Sequence, residues 1–279
     1  MPTVNKQIRS MKSTEGVTNQ QSTADGWGAS EGIKMLIYGR SGSGKTTLWS
    51  SFPGPILAIL CSGGTRPGEL KSIDTPENRK KITPKICTSV AQCKELISEA
   101  TDYQTVVLDH GSGLQDLTLK EILGLEELPA QKSWGMATQQ QYGQSSLMCK
   151  EVFRSLLSLP NNVVIVAQER EFGSESGSDL IAPTVGAALT PSVTGWLNPA
   201  CDYVVQTFIR PVMKEQTTKI GTKEMKQLVR GKGVEYCLRT EPHDVYTTKF
   251  RVPKGHPLPE CIVDPTYTKI VNIIRGLNS

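Results

Sequence analysis

Apolar residues in this chain fall into short continuous runs separated by amphipathic stretches. Residues 33–38, 55–61, 105–109 and 163–168 are each compact, rich in Ile, Val and Leu, and bounded by turn residues. That pattern predicts buried strands. Residues 85–87 predict a further short one. Between them, residues 45–52, 89–100, 114–125 and 148–159 carry apolar positions at helical spacing, as at Val90, Cys93, Leu96 and Ile97. Strands that are apolar throughout and alternate with helices predict an α/β fold. Its mostly parallel, twisted central sheet would have helices on both faces.

The remaining segments extend this plan. Residues 202–209, 234–238 and 245–252 predict late strands of the same sheet, and 267–277 a closing helix. Residues 126–142 mix Pro129, Trp134, Gly135 and a glutamine run and predict a loop or broken helix. Residues 169–190 are rich in Gly, Ser and acidic groups, lack periodicity, and predict a long functional loop. Residues 1–31 are polar, with a basic flavour from Lys6, Arg9 and Lys12, and predict a disordered tail. A single domain over 32–279 is expected, without internal repeats.

Composition narrows the picture modestly. A chain of 279 residues with 37% hydrophobic and 21% charged residues can bury a full core without disulfide or metal staples. The net charge of +4 permits nucleic acid as a partner without requiring it. Seven cysteines at 61, 87, 93, 149, 201, 237 and 261 form no C-x-x-C pair, so the spacing indicates neither a disulfide framework nor a zinc site. No apolar run reaches membrane-spanning length and no secretory h-region opens the chain, so a cytoplasmic protein without a membrane partner is expected.

The chemistry gathers at one stretch. Gly39-Arg40-Ser41-Gly42-Ser43-Gly44-Lys45-Thr46 reads G-x-x-x-x-G-K-T, preceded by a predicted strand and followed by a predicted helix that includes Thr47. Glycines let the backbone form a nest of inward N–H groups for phosphate oxygens. Lys45 supplies a point charge for the β- and γ-phosphates, and the Thr46 hydroxyl a ligand for Mg²⁺. ATP with Mg²⁺ is therefore the expected cofactor. Asp109, ending the run Thr105-Val106-Val107-Leu108-Asp109, reads as the Walker B carboxylate and second metal ligand.

With these pieces placed, residues 31–277 resemble the RecA-like ATPases. Within that class they look like the short phage-type nucleotide-binding proteins linked to single-strand annealing and recombination. The resemblance implies that Gln168, at the exit of the strand after Asp109, senses the γ-phosphate and passes its state to the following loop, which contacts single-stranded DNA. It also implies that Lys249 and Arg251, a K-x-R pair on one face of a late strand, reach a neighbouring subunit's triphosphate. A homo-oligomer, ring or filament, with nucleotide at its interfaces follows. If phage-encoded, the protein would work in the host cytoplasm. The chain departs from the pattern at the catalytic base. The usual Glu after the second strand is replaced by Ser62, and His110 follows Asp109. A serine is a poor base at neutral pH, which leaves Glu69 as the substitute and slow hydrolysis as an expectation.

Two functions of different kinds remain open on these residues. One is an ATPase acting on single-stranded DNA, supported by the loop after Gln168 and the lysine-rich segment 214–232. Against it, aromatic residues near these segments are few (Phe172, Trp196, Tyr203). The other is a nucleotide-dependent switch or assembly protein with little hydrolysis and a protein partner. A hexameric helicase motor shares the core, but no N-terminal collar domain is visible.

Overall fold

Four apolar strands and their flanking helices assemble as the pattern predicts, the short strand expected at 85–87 lies instead at 82–86, and antiparallel additions complete one side of the sheet. The computed structural model describes residues 32–61, 68–125, 137–173, 183–220 and 223–277, apart from the side chains of 69 and 216–228. The expected tail over 1–31 lies outside them. The N-terminal half runs β1 (Lys34–Gly39), α1 (Lys45–Ser50), β2 (Ile56–Leu60), α2 (Pro76–Lys81), β3 (Ile82–Ile86), α3 (Val90–Ser98), β4 (Thr105–Asp109) and α4 (Gly111–Leu123). Then come α5 (Gln139–Leu157), β5 (Asn162–Phe172), β6 (Thr184–Ala187), α6 (Pro191–Ala200), β7 (Tyr203–Ile220), β8 (Lys223–Arg239), β9 (Lys249–Phe250), β10 (Cys261–Val263) and α7 (Tyr267–Ile274).

The sheet order among the described residues is β10-β8-β7-β1-β5-β4-β2-β3. The strands from β3 to β7 along this order pair in parallel, whereas β8, β9 and β10 add antiparallel, and β6 pairs antiparallel with β5. Period-two alternation divides the core between the two faces. Leu36, Tyr38, Ile59, Leu108 and Ile165 pack against α3, α4 and α5 on one face. Met35, Ile37, Ala58, Val107 and Val164 meet Leu48, Trp49, Ile270 and Ile273 on the other. This is the RecA-like α/β plan. Because β1 pairs with β5 and β5 with β4, all in parallel, the carboxyl ends of β1, β4 and β5 lie side by side at one edge of the sheet, the usual ligand position in such folds.

Several elements differ from expectation. Helix α5 begins at Gln139, earlier than the expected 148, because Thr138 and Gln141 form a reciprocal capping box that turns the glutamine run into its first turn. Helix α2 was not anticipated, yet Thr75 caps it, Pro76 opens it, and Arg79, Lys80 and Lys81 fill its last turn. The presumed loop at 169–190 begins as strand: β5 continues to Phe172, with Glu169–Phe172 paired to β6. Residues 174–182 lie outside the described set. The lysine-rich segment belongs to the long β7–β8 hairpin, paired from Gln206–Arg239 to Ile220–Lys223. The late strand expected over 245–252 is reduced to β9, while α6 and β10 appear where nothing was expected.

Close approach of α4 to β2 needs a glycine. A Cβ at Gly113 would lie 1.6 Å from the Cys61 carbonyl oxygen and 2.7 Å from its carbon. Gly113→Ala must displace the helix, and a loss of about 1–3 kcal/mol in denaturant unfolding is expected.

Candidate nucleotide-binding site

The crevice is lined first by the turn from β1 into α1. Gly42 (φ 78°) and Gly44 (φ 93°) adopt left-handed backbone that side chains disfavour, and Gly44 caps α1. Ser43 locks the loop: its Oγ lies 2.7 Å from the Arg40 carbonyl oxygen and 2.6 Å from Thr207 Oγ1 on β7. Arg40, Ser41 and Thr47 are exposed and Thr46 is half-buried, so the outer rim is accessible.

Lys45 is buried, and its Nζ donates to the Gly39 and Arg40 carbonyls, each at 2.7 Å, with Gln168 Oε1 at 3.4 Å. Burial lowers its pKa, opposed by the charges of Asp109 and Glu169. The ammonium therefore sits folded over the loop, held by two of its carbonyls. Asp109 ends β4, 6% exposed, and its Oδ2 accepts from Trp49 Nε1 at 3.0 Å. Trp49 lies on α1, fully buried, so the helix carrying Lys45 and Thr46 is tied directly to the Walker B carboxylate. Left-handed glycines, a buried lysine and a buried carboxylate in one crevice fit a magnesium nucleotide.

Sheet register puts Gln168 opposite Gly39 and Asp109 opposite Val166. Gln168 thus stands beside the loop, and β5 continues from it into the β5–β6 pair. Sequence reasoning missed three neighbours. Glu169, placed in a loop by the pattern, is on β5 and accepts from Arg40 Nε at 2.7 Å and Gln206 Nε2 at 3.3 Å. Trp49 lies within the helical run 45–52 with nothing local to mark it. Tyr236 on β8 packs against the loop, its Cδ1 3.2 Å from where a Gly44 Cβ would be, and remains 41% exposed. The adjacency of Glu169 to Gln168 was a usable signal for the first. No local signal exists for the other two.

The remaining candidates stand apart from the loop's contacts. Lys249 Nζ donates to the carbonyls of Asn198, Pro199 and Cys201 at 3.1, 2.9 and 2.5 Å, capping the end of α6. Arg251 pairs with Asp202 at 2.5 Å. His110 caps α4, its Nδ1 accepting from Gly113 N at 2.8 Å. Ser62 lies outside the described residues. Glu69 falls in the 3-10 turn Gly68–Ile73, with its side chain outside them.

A parallel sheet with a P-loop after its central strand and an acid on β4 defines a nucleotide-binding ATPase of the RecA-like class. The chain belongs to the AAA domain family AAA_24, whose pattern matches residues 31–252. Its fold is similar to that of the flagellar accessory protein FlaH from Methanocaldococcus jannaschii, at 9% identity and TM-score 0.41 over 84% of this chain and 85% of that one. It is also similar to the RadB recombinase, at 13% identity and TM-score 0.35 over 76% and 89%. A third similar structure is the KaiC-like protein PH0186 from Pyrococcus horikoshii OT3, at 11% identity and TM-score 0.37 over 84% and 90%. No curated protein matches the chain. Among the described residues no helix is long and apolar enough to cross a membrane.

Proposed function

We propose that this protein is an ATPase acting on single-stranded DNA in recombination or strand annealing, of the phage type, with ATP state sensed by Gln168. The observation that carries the reading is the placement of Gln168 between Lys45 and the β5–β6 pair. Its amide oxygen lies 3.4 Å from Lys45 Nζ. When Lys45 turns to phosphate, Gln168 loses that neighbour and its own amide can follow the γ-phosphate. The strand that carries it leads directly to the β5–β6 arm, so a local change in hydrogen bonding becomes a movement at the DNA-facing edge. Lys214, Arg230 and Lys232 are exposed on the β7–β8 hairpin and offer charge for a phosphate backbone.

In this reading Lys45 and the backbone of 39–46 hold the triphosphate, Thr47 lines the rim, and Tyr236 offers a stacking face to the base. Thr46 and Asp109 would hold Mg²⁺, which would supply charge neutralisation for the phosphates. Glu69 is the proposed base, and unchanged turnover in Glu69→Ala would rule it out. Lys249 and Arg251 serve a neighbour's nucleotide in a ring or filament, exchanging the Asn198, Pro199, Cys201 and Asp202 oxygens for phosphate on assembly.

ATP hydrolysis measured with and without single-stranded DNA tests this. Stimulation by DNA is expected, with Gln168→Ala reducing the stimulated rate to the DNA-free rate. ATP binding without turnover and without any DNA response would replace the proposal with a nucleotide switch that has a protein partner.

A further inference from the structure

The fold gathers three cysteines that are far apart in sequence. Cys61 follows β2, Cys87 follows β3, and Cys93 lies in the second turn of α3. Their sulfurs all lie within 4.8 Å of one another, and each residue is at most 1% exposed. The backbone fixes the arrangement independently of the thiols. Cys61 N donates to the Asp109 carbonyl at 2.8 Å, Cys87 N to Leu60 O at 2.8 Å, and Cys93 N to Ser89 O at 3.1 Å. Three different elements therefore present sulfur to one point at the exit of β2, next to the Walker B strand.

We propose that Cys61, Cys87 and Cys93 form a structural zinc site built from three thiolates. Geometry, softness and charge agree. An ion equidistant from three sulfurs spaced at that 4.8 Å bound would lie about 2.8 Å from each. Closing to the usual Zn–S distance of about 2.3 Å moves each sulfur by about 0.5 Å, a side-chain adjustment. Sulfur-only ligation selects a thiophilic ion over Mg²⁺, which prefers oxygen. Three thiolates around Zn²⁺ leave about one net negative charge, whereas a monovalent ion would leave about two in an apolar core. The end of α3 nearest Cys87 is its N-terminus, capped by Ser89, and its dipole favours that residual charge.

Zinc there would pin the exits of β2 and β3 to α3. The inference does not depend on the DNA reading.

The test is metal content of the full chain, expressed with zinc and purified under reducing conditions. About one zinc per chain is expected. Cys87→Ser and Cys93→Ser should each lower it at least about tenfold, while Cys261→Ser, at a remote position on β10, should retain it. Should the buried variants fail to fold, cobalt titration of the chelator-treated wild-type chain reads the same site. Thiolate-to-cobalt charge-transfer absorption, displaced by zinc, supports it. A wild-type chain without bound zinc and without that absorption would overturn the proposal. So would zinc that persists in Cys87→Ser, or copper in its place.

Discussion

Lys45→Ala is expected to reduce ATP turnover at least about a hundredfold, the scale seen when a preorganised charge is removed from a transition state. The ammonium is buried on two carbonyls, each at 2.7 Å, a partnership that a triphosphate is expected to outcompete on charge. The same substitution should abolish nucleotide-induced thermal stabilisation. For the wild type that stabilisation is about 2.7 kcal/mol at ligand a hundredfold above Kd. A pH dependence follows from the burial of Lys45. Its folded pKa is lowered from the ordinary 10.5, mainly by desolvation. Between the lowered value and 10.5 the unfolded chain binds more protons, so this group's contribution to stability rises with pH. Nucleotide-free wild type should therefore gain stability relative to Lys45→Ala as pH is raised towards 10.5. Parallel stability curves for the two proteins would contradict the buried, charged lysine.

Asp109→Ala carries the second large effect, on activity and stability together. Turnover should again fall at least about a hundredfold, because the carboxylate that would hold Mg²⁺ is gone. The folded state should lose about 1–3 kcal/mol as well, because the buried Trp49 indole N–H is left without its acceptor. Asp109→Asn separates the two. Its side-chain oxygen can still accept from Trp49, so stability should be largely retained while magnesium-dependent turnover collapses. Denaturant midpoints and ATPase rates on the same preparations decide the matter. Equal midpoints for wild type and Asp109→Ala would show that the Trp49 bond contributes nothing.

The legible parts of this protein are those where a local rule has a single outcome. Strand β4 was read with its bounds intact, because Thr105 to Asp109 is a short apolar run between turns. The loop at Gly39–Thr46 was readable because only glycine fits the left-handed positions at 42 and 44. Helix α5 was read short because its first turn is polar and exposed, and its start is set by the Thr138–Gln141 capping box rather than by apolar spacing. The strand character of Glu169–Phe172 was hidden for another reason. Its sequence has no apolar periodicity, and β6, its partner, begins twelve residues later at Thr184.

The amino-acid sequence by itself determined the class of the fold, the phosphate loop and the acid on β4. Each follows from short-range patterning: apolar runs that must be buried, glycines that accept positive φ most readily, and a carboxylate at a strand end. Only the tertiary structure decided what surrounds them. Trp49 meets Asp109 across 60 positions, Gln168 meets Lys45 across 123, and Cys61 joins Cys87 and Cys93 through three separate elements. These contacts arise from the order in which strands enter the sheet. That order is chosen by the packing of both faces at once, so no window along the chain contains it.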